Sequence, residues 1–286
     1  MRSVGASTWI WVSPLTDERL AELAPKVRGL GFDVIELQVE EPGQWDPGRA
    51  AELAAEHGLS TSLCCVMPPG RDLALADEEV AAATVEYLDH CVDVAARIGS
   101  PVVAGPMYAA VGRLWRLEPA ERRATIERVG ERLRPVAERA GERGVTLAVE
   151  PLNRYETSLI NTVEQGLELV ERVGSEACGL LLDTYHMNIE EKHPAAAVRA
   201  AGARIAHMHG CGTDRGAPGE DDFGWPAFFA ALDEVGYEGM ISIESFTPEM
   251  EAIAVAAAIW RPLAPGPDEL AATGLQFLRR RDTGSR

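Results

Sequence analysis

The chain has 286 residues, 46% hydrophobic and 25% charged, an ordinary balance for a soluble globular protein that builds its core without staples. Its 27 basic residues against 45 acidic ones give a net charge of −18, a field that repels phosphate backbones and excludes nucleic acid as a natural partner. Five cysteines without a CxxC pair indicate free thiols, no run is long enough to span a membrane, and the start from Met1 to Pro14 reads as a first strand and not a signal peptide, so a cytoplasmic protein is expected.

Short apolar runs alternate with longer Ala/Glu/Arg-rich segments along the whole chain. Strands are predicted over Val4–Trp11, Asp33–Gln38, Ser60–Val66, Val102–Met107, Val145–Pro151, Gly179–Thr184, Arg204–His209 and Met240–Phe246. Amphipathic helices are predicted over Asp17–Gly29, Pro47–His57, Glu78–Ile98, Pro119–Arg143, Val163–Val173, Pro194–Ala201 and Trp225–Val235. Thr16-Asp17 and Asp46-Pro47 have the chemistry of helix starts. Gly31, Gly58, Gly99, Gly144, Gly174, Gly202 and Gly236 each stand between a helix and the next strand. Strict strand–helix alternation implies a parallel sheet, and eight units of it favour a closed (β/α)8 barrel as one domain over residues 1–286. A last helical pair, Glu249–Trp260 and Asp268–Arg281, follows the eighth strand; the first is expected to complete the barrel and the second to pack outside it as an extra C-terminal helix.

Glu150, Asp183, His209 and Glu244 end the fifth to eighth predicted strands, at intervals of 33, 26 and 35 residues, each about one barrel unit. One acidic residue at a strand end is usually a helix cap or a loop group. Four in succession on the active rim of a barrel read as ligands of one divalent cation. Three oxygens and one imidazole suit Mn²⁺, Mg²⁺ or Co²⁺ better than a thiolate-bound zinc. Three carboxylates against a divalent ion leave one negative charge, so a nearby cation is expected, with Arg215 the best placed. His207, two residues before His209, faces the same side of its strand and is read as a buried partner that orients the site. His186 lies just beyond strand six, within reach of a substrate. Trp9, Trp11 and Trp115 either wall the site or belong to the core.

The segments Glu150-Pro151-Leu152-Asn153-Arg154-Tyr155-Glu156, Asp183-Thr184-Tyr185-His186-Met187-Asn188-Ile189-Glu190-Glu191, His207-Met208-His209 with Asp214-Arg215, and Ile243-Glu244-Ser245-Phe246 resemble the sugar isomerase/epimerase superfamily of xylose-isomerase-like barrels. Within it the likeness is greatest to the D-tagatose 3-epimerase and L-ribulose 3-epimerase group. The resemblance implies one divalent metal per subunit, Mn²⁺ first, with Co²⁺ or Mg²⁺ as alternatives, held by Glu150, Asp183, His209 and Glu244. It implies that Glu150 and Glu244 also form the acid/base pair. His186 and Arg215 match residues that bind the substrate's carbonyl oxygen, Glu156 one that contacts the sugar near its first carbon, and Cys64 a small substrate-facing position. The implied reaction inverts C3 of a free ketose through an enediolate stabilised by the metal, with one glutamate removing the proton and the other returning it on the opposite face. The expected partners are a small sugar and further copies of the chain, as a homodimer or homotetramer, with no nucleic acid and no membrane. The loop 210–225 departs from the group's pattern around Asp221-Asp222-Phe223, which leaves open a related isomerase, an inosose-type dehydratase or a 3-keto-glycoside lyase on the same site.

Overall fold

The short apolar runs become strands that are buried along nearly their whole length, as expected when helices cover one face of a sheet and the barrel interior fills the other. In the computed structural model, which describes residues 2–75 and 77–283, β1 (Val4–Ser7), β2 (Val34–Val39), β3 (Ser60–Cys65), β4 (Val102–Gly105), β5 (Thr146–Val149), β6 (Cys178–Asp183), β7 (Ile205–His209) and β8 (Ile241–Ile243) pair in parallel. Each strand pairs with the next, and Val4–Ala6 of β1 lies against Ile241–Ile243 of β8, so the sheet closes. The expected barrel is therefore present. Met1, Ala76 and residues 284–286 of the expected domain lie outside the described residues.

The helices α1 (Asp17–Leu30), α2 (Pro47–Glu56), α3 (Glu78–Ile98), α4 (Pro119–Glu142), α5 (Val163–Val173), α6 (Thr184–Glu190), α7 (Pro194–Ala201), α8 (Trp225–Glu234), α9 (Glu251–Ala256) and α10 (Pro267–Thr283) complete the architecture. The Thr16 and Asp46 side chains accept backbone N–H groups three residues on, as their helix-cap chemistry requires. All seven glycines between helix and strand have positive φ. At Gly31 the value is 103°, which lets its N–H close back onto the Arg28 carbonyl before Phe32 turns into β2.

Three expectations change. The first strand stops at Ser7 and not at Trp11, because the Ser7 hydroxyl accepts the Trp9 N–H and a 3₁₀ turn follows over Thr8–Ile10. A short helix, α6, starts directly at Asp183, whose carboxylate accepts the N–H groups of Tyr185 and His186 at 2.6 and 3.2 Å. The two C-terminal helices also exchange roles. It is α10 that packs against β1, β8, α1 and α8 and fills the eighth helical place. The shorter α9 belongs to a small apolar cluster with Trp9, Phe246 and Ile259. The reason is burial: Leu270, Ala271, Leu275 and Leu278 give α10 a continuous apolar stripe for the barrel wall. Among the described residues, no helix is long and apolar enough to cross a membrane.

Candidate active site

Strand pleating builds the site. Alternate residues point into the barrel, so Glu36 and Gln38 of β2, Ser62 and Cys64 of β3, and His207 and His209 of β7 face the interior in register. At the C-terminal ends of β5 to β8, Glu150, Asp183, His209 and Glu244 bring one side-chain donor atom each to within 4.8 Å of one another, all buried. The sequence spacing anticipated this gathering. His209 Nδ1 is the hub, lying 3.6 Å from Asp183 Oδ2, 3.6 Å from Glu244 Oε1 and 4.0 Å from Glu150 Oε1.

The residues fit a divalent cation. His209 Nδ1 and Glu150 Oε1 are buried with no hydrogen-bond partner, a costly condition unless some other group completes them. Electrostatics agree. Burial and the charge of Glu244 push the Glu150 carboxyl well above its ordinary value. Burial also opposes ionisation of Asp183 and Glu244, but the adjacent His209 imidazole and the charge of Arg215 hold both below the usual carboxylate range. His209 in turn is raised despite its burial, by Glu36 and Glu244. With Glu150 ionised, three carboxylates so close carry more negative charge than one imidazole and one guanidinium settle, and a bound cation would supply what is missing. Hard oxygens with one nitrogen favour a hard or borderline ion.

Arg215 sits where charge counting required a cation. Its Nη2 donates to Glu244 Oε2 at 2.7 Å and its Nη1 to Glu156 Oε1 at 3.3 Å, while the guanidinium lies 4.7 Å from the Tyr185 ring and 4.8 Å from Phe246. The backbone at Arg215 is left-handed, φ 70°, and its carbonyl is held by the Ser245 hydroxyl at 2.7 Å. A non-glycine residue in this conformation marks a loop fixed by its surroundings. The 210–225 loop is thus tied at its centre to the residue that follows Glu244.

His186 is fully buried, and burial lowers its pKa, so it is neutral near pH 7. Its Nδ1 accepts the Asn153 backbone N–H at 3.0 Å, which puts the ring proton on Nε2. That edge points into the cluster, 3.6 Å from Glu150 Oε1 and 3.4 Å from Arg215 Nη1. The Asn153 amide also donates to Glu156 Oε1 at 2.8 Å and so ties two expected substrate contacts together.

Not every expected residue joins this face. Cys64 lies on the other edge of His209, its Sγ 3.9 Å from Nε2, packed with Val102, Ala104, Ala148 and Leu181 inside the barrel. Trp9 packs on Phe246 at 5.5 Å at the mouth. Trp11 donates to Asp268 at the start of α10, and Trp115 covers the Arg113 guanidinium at 3.8 Å. Two residues escaped the sequence reading. Cys211 places its Sγ 3.3 Å from Asp183 Oδ2 and donates to the Glu244 carbonyl at 2.8 Å. Glu36 is fully buried beneath His209, and its signal was a charge within the otherwise uncharged run Val34–Val39.

A closed parallel barrel carrying acidic and imidazole groups on its C-terminal rim is an enzyme scaffold, and the chain belongs to the xylose isomerase-like TIM barrel family, whose model matches residues 25–281. By enzyme class it is an isomerase of the epimerase kind. It is 36% identical over 278 residues to a probable ketose 3-epimerase of Synechocystis sp., covering 96% of this chain and 95% of that one. It is 37% identical over 265 residues to the L-ribulose 3-epimerase of Mesorhizobium japonicum, covering 92% and 88%. The solved D-allulose 3-epimerase of Methylomonas sp. in complex with D-allulose superposes with a TM-score of 0.92 at 29% identity, covering 98% of this chain and 97% of that one.

Proposed function

We propose that the chain is a metal-dependent ketose 3-epimerase that inverts C3 of a free ketose of the D-tagatose, D-fructose, D-allulose or L-ribulose type. The observation that carries this reading is the buried cluster of Glu150, Asp183, His209 and Glu244, with two partnerless donor atoms aimed at one point. These four residues hold one divalent cation, Mn²⁺ before Co²⁺ or Mg²⁺. When bound, the cation supplies Lewis acidity toward the sugar's carbonyl and hydroxyl oxygens.

The chain's own residues do the rest. Glu150 and Glu244 come from strands three steps apart around the barrel, so they approach a sugar carbon between them from different sides. One takes the C3 proton and the other returns a proton to the opposite face, which inverts the centre. Even before a cation binds, their environments differ: burial and the charge of Glu244 raise Glu150, while His209 and Arg215 lower Glu244. Neutral His186 donates through Nε2 to the carbonyl oxygen, and Arg215 adds positive charge where negative charge develops. Glu156, held by Asn153 and Arg215, binds a hydroxyl near C1. Arg215 is engaged by two carboxylates, which favours an uncharged sugar over a sugar phosphate. Assembly as a homodimer or homotetramer in the cytoplasm belongs to the same reading.

Purified protein loaded with Mn²⁺ and incubated with D-fructose, D-tagatose and L-ribulose in D₂O tests it. The expected result is the C3 epimer of at least one sugar, with deuterium at C3 and no loss of water. A broad ketose panel that returns no C3 epimer overturns the proposal.

A further inference from the structure

Beneath the cluster lies a second set of buried polar groups, reached through His209. Glu36 is fully buried, as are His207 and Ser62. Its Oε2 accepts from the Ser62 hydroxyl at 2.9 Å and meets His207 Nε2 at 2.7 Å. Its Oε1 lies 3.0 Å from His209 Nε2 in an off-axis contact. His209 thus stands between two carboxylate environments, with Nε2 toward Glu36 and Nδ1 toward Glu150, Asp183 and Glu244.

We propose that Glu36 is a positioning residue for the metal, acting through His209. An unprotonated Nε2 would set its lone pair against the Glu36 carboxylate, so the ring proton resides on Nε2 and Nδ1 keeps a lone pair for the cation. His207 and Ser62 hold the other carboxylate oxygen, which prevents Glu36 from turning and keeps its Oε1 beside the His209 ring edge. His207 and His209 pack edge to face, with ring centroids 5.2 Å apart, so each ring is buttressed by the other. Carboxylates behind ligating histidines raise ligand basicity, and their loss commonly weakens metal binding by about 10–100-fold. The inference rests on the reading of His209 as a metal ligand.

The test is metal affinity, measured apart from catalysis. Glu36→Gln keeps the size of the side chain and removes the charge. Titration of the chelator-treated protein with Mn²⁺, following free ion by electron paramagnetic resonance, is expected to show the dissociation constant rising about 10–100-fold. At saturating Mn²⁺ the KM for the ketose is expected to stay within about twofold of the parent, since Glu36 reaches the cluster only through His209. The d–d absorption of the Co²⁺-loaded variant is expected to change in shape, reporting an altered ligand field. If Glu36→Gln does not fold, Ser62→Ala, which frees one carboxylate oxygen, is expected to weaken Mn²⁺ binding by about 2–5-fold, a fraction of the full loss. Parent-like affinity in the folded variant tested overturns the role of Glu36 and leaves the metal reading intact. Failure of the parent chain to bind Mn²⁺ overturns both.

Discussion

Arg215→Met isolates the electrostatic balance of the cluster. The guanidinium and the Glu244 carboxylate are 6% and 5% exposed and 2.7 Å apart, so the pair is desolvated on both sides. Methionine is nearly as long and keeps the contact with Tyr185 and Phe246, so the change removes charge more than volume. Deleting one partner of a buried pair leaves the other uncompensated, at a cost of about 3–5 kcal/mol. For a chain of this length, about 1.7 °C is lost per kcal/mol, which predicts a fall in melting temperature of about 5–8 °C with metal chelated. The effect has a sign in pH. Burial disfavours the Glu244 anion, but His209 and Arg215 hold its pKa below the ordinary value. A carboxyl depressed in this way stabilises the fold above its unfolded pKa, and that contribution is lost as pH falls through the folded one. Without Arg215 the carboxyl titrates higher and escapes its penalty by protonating. The gap between parent and variant is therefore largest near pH 8 and narrows toward pH 5. Differential scanning calorimetry in chelator across that range measures it. A gap under about 2 °C at pH 8, or one that widens as pH falls, refutes the reasoning.

Other perturbations reach the site from different directions. Gly166 faces β6, and a methyl group there would sit 2.9 Å from Leu180 Cδ2 and 3.0 Å from Pro151 Cγ, next to Glu150. Gly166→Ala gains about 1 kcal/mol of helix propensity and meets an overpacking cost of about 1–3 kcal/mol, so a lower melting temperature and lower kcat are expected; a higher melting temperature contradicts the packing argument. Asn153→Ala leaves His186 its backbone donor but frees Glu156, so KM is expected to rise about tenfold with kcat within a few-fold, and an unchanged KM counts against the role of Glu156. Glu150→Gln and Glu244→Gln are each expected to lower turnover about 10²–10⁴-fold, while each retains C3 exchange in D₂O with one epimer of the pair. Loss of exchange with both epimers in both variants sinks the two-base account.

Much of this molecule was legible in the chain because it is written in local chemistry. Short apolar runs, capping residues and a glycine before each strand from the second to the eighth specify a repeated unit, and eight such units favour closure. The rim residues were legible for the same reason: Glu150, Asp183, His209 and Glu244 each fall where a strand must end. What the chain could not show depends on distance in space. Glu36 comes to His209 across 173 residues only because β2 and β7 face each other through the barrel interior. Cys64 turned to the Nε2 edge of His209 and not to the Nδ1 cluster, a choice made by packing against Ala104 and Ala148. The last two helices were told apart by which one presents a stripe that the open gap between α8 and α1 buries. Sequence spacing alone brought four ligand-like groups to one rim. The tertiary structure decided which nitrogen of His209 faces them and which carboxylate stands behind it, because those are matters of side-chain direction in a closed interior that no linear pattern encodes.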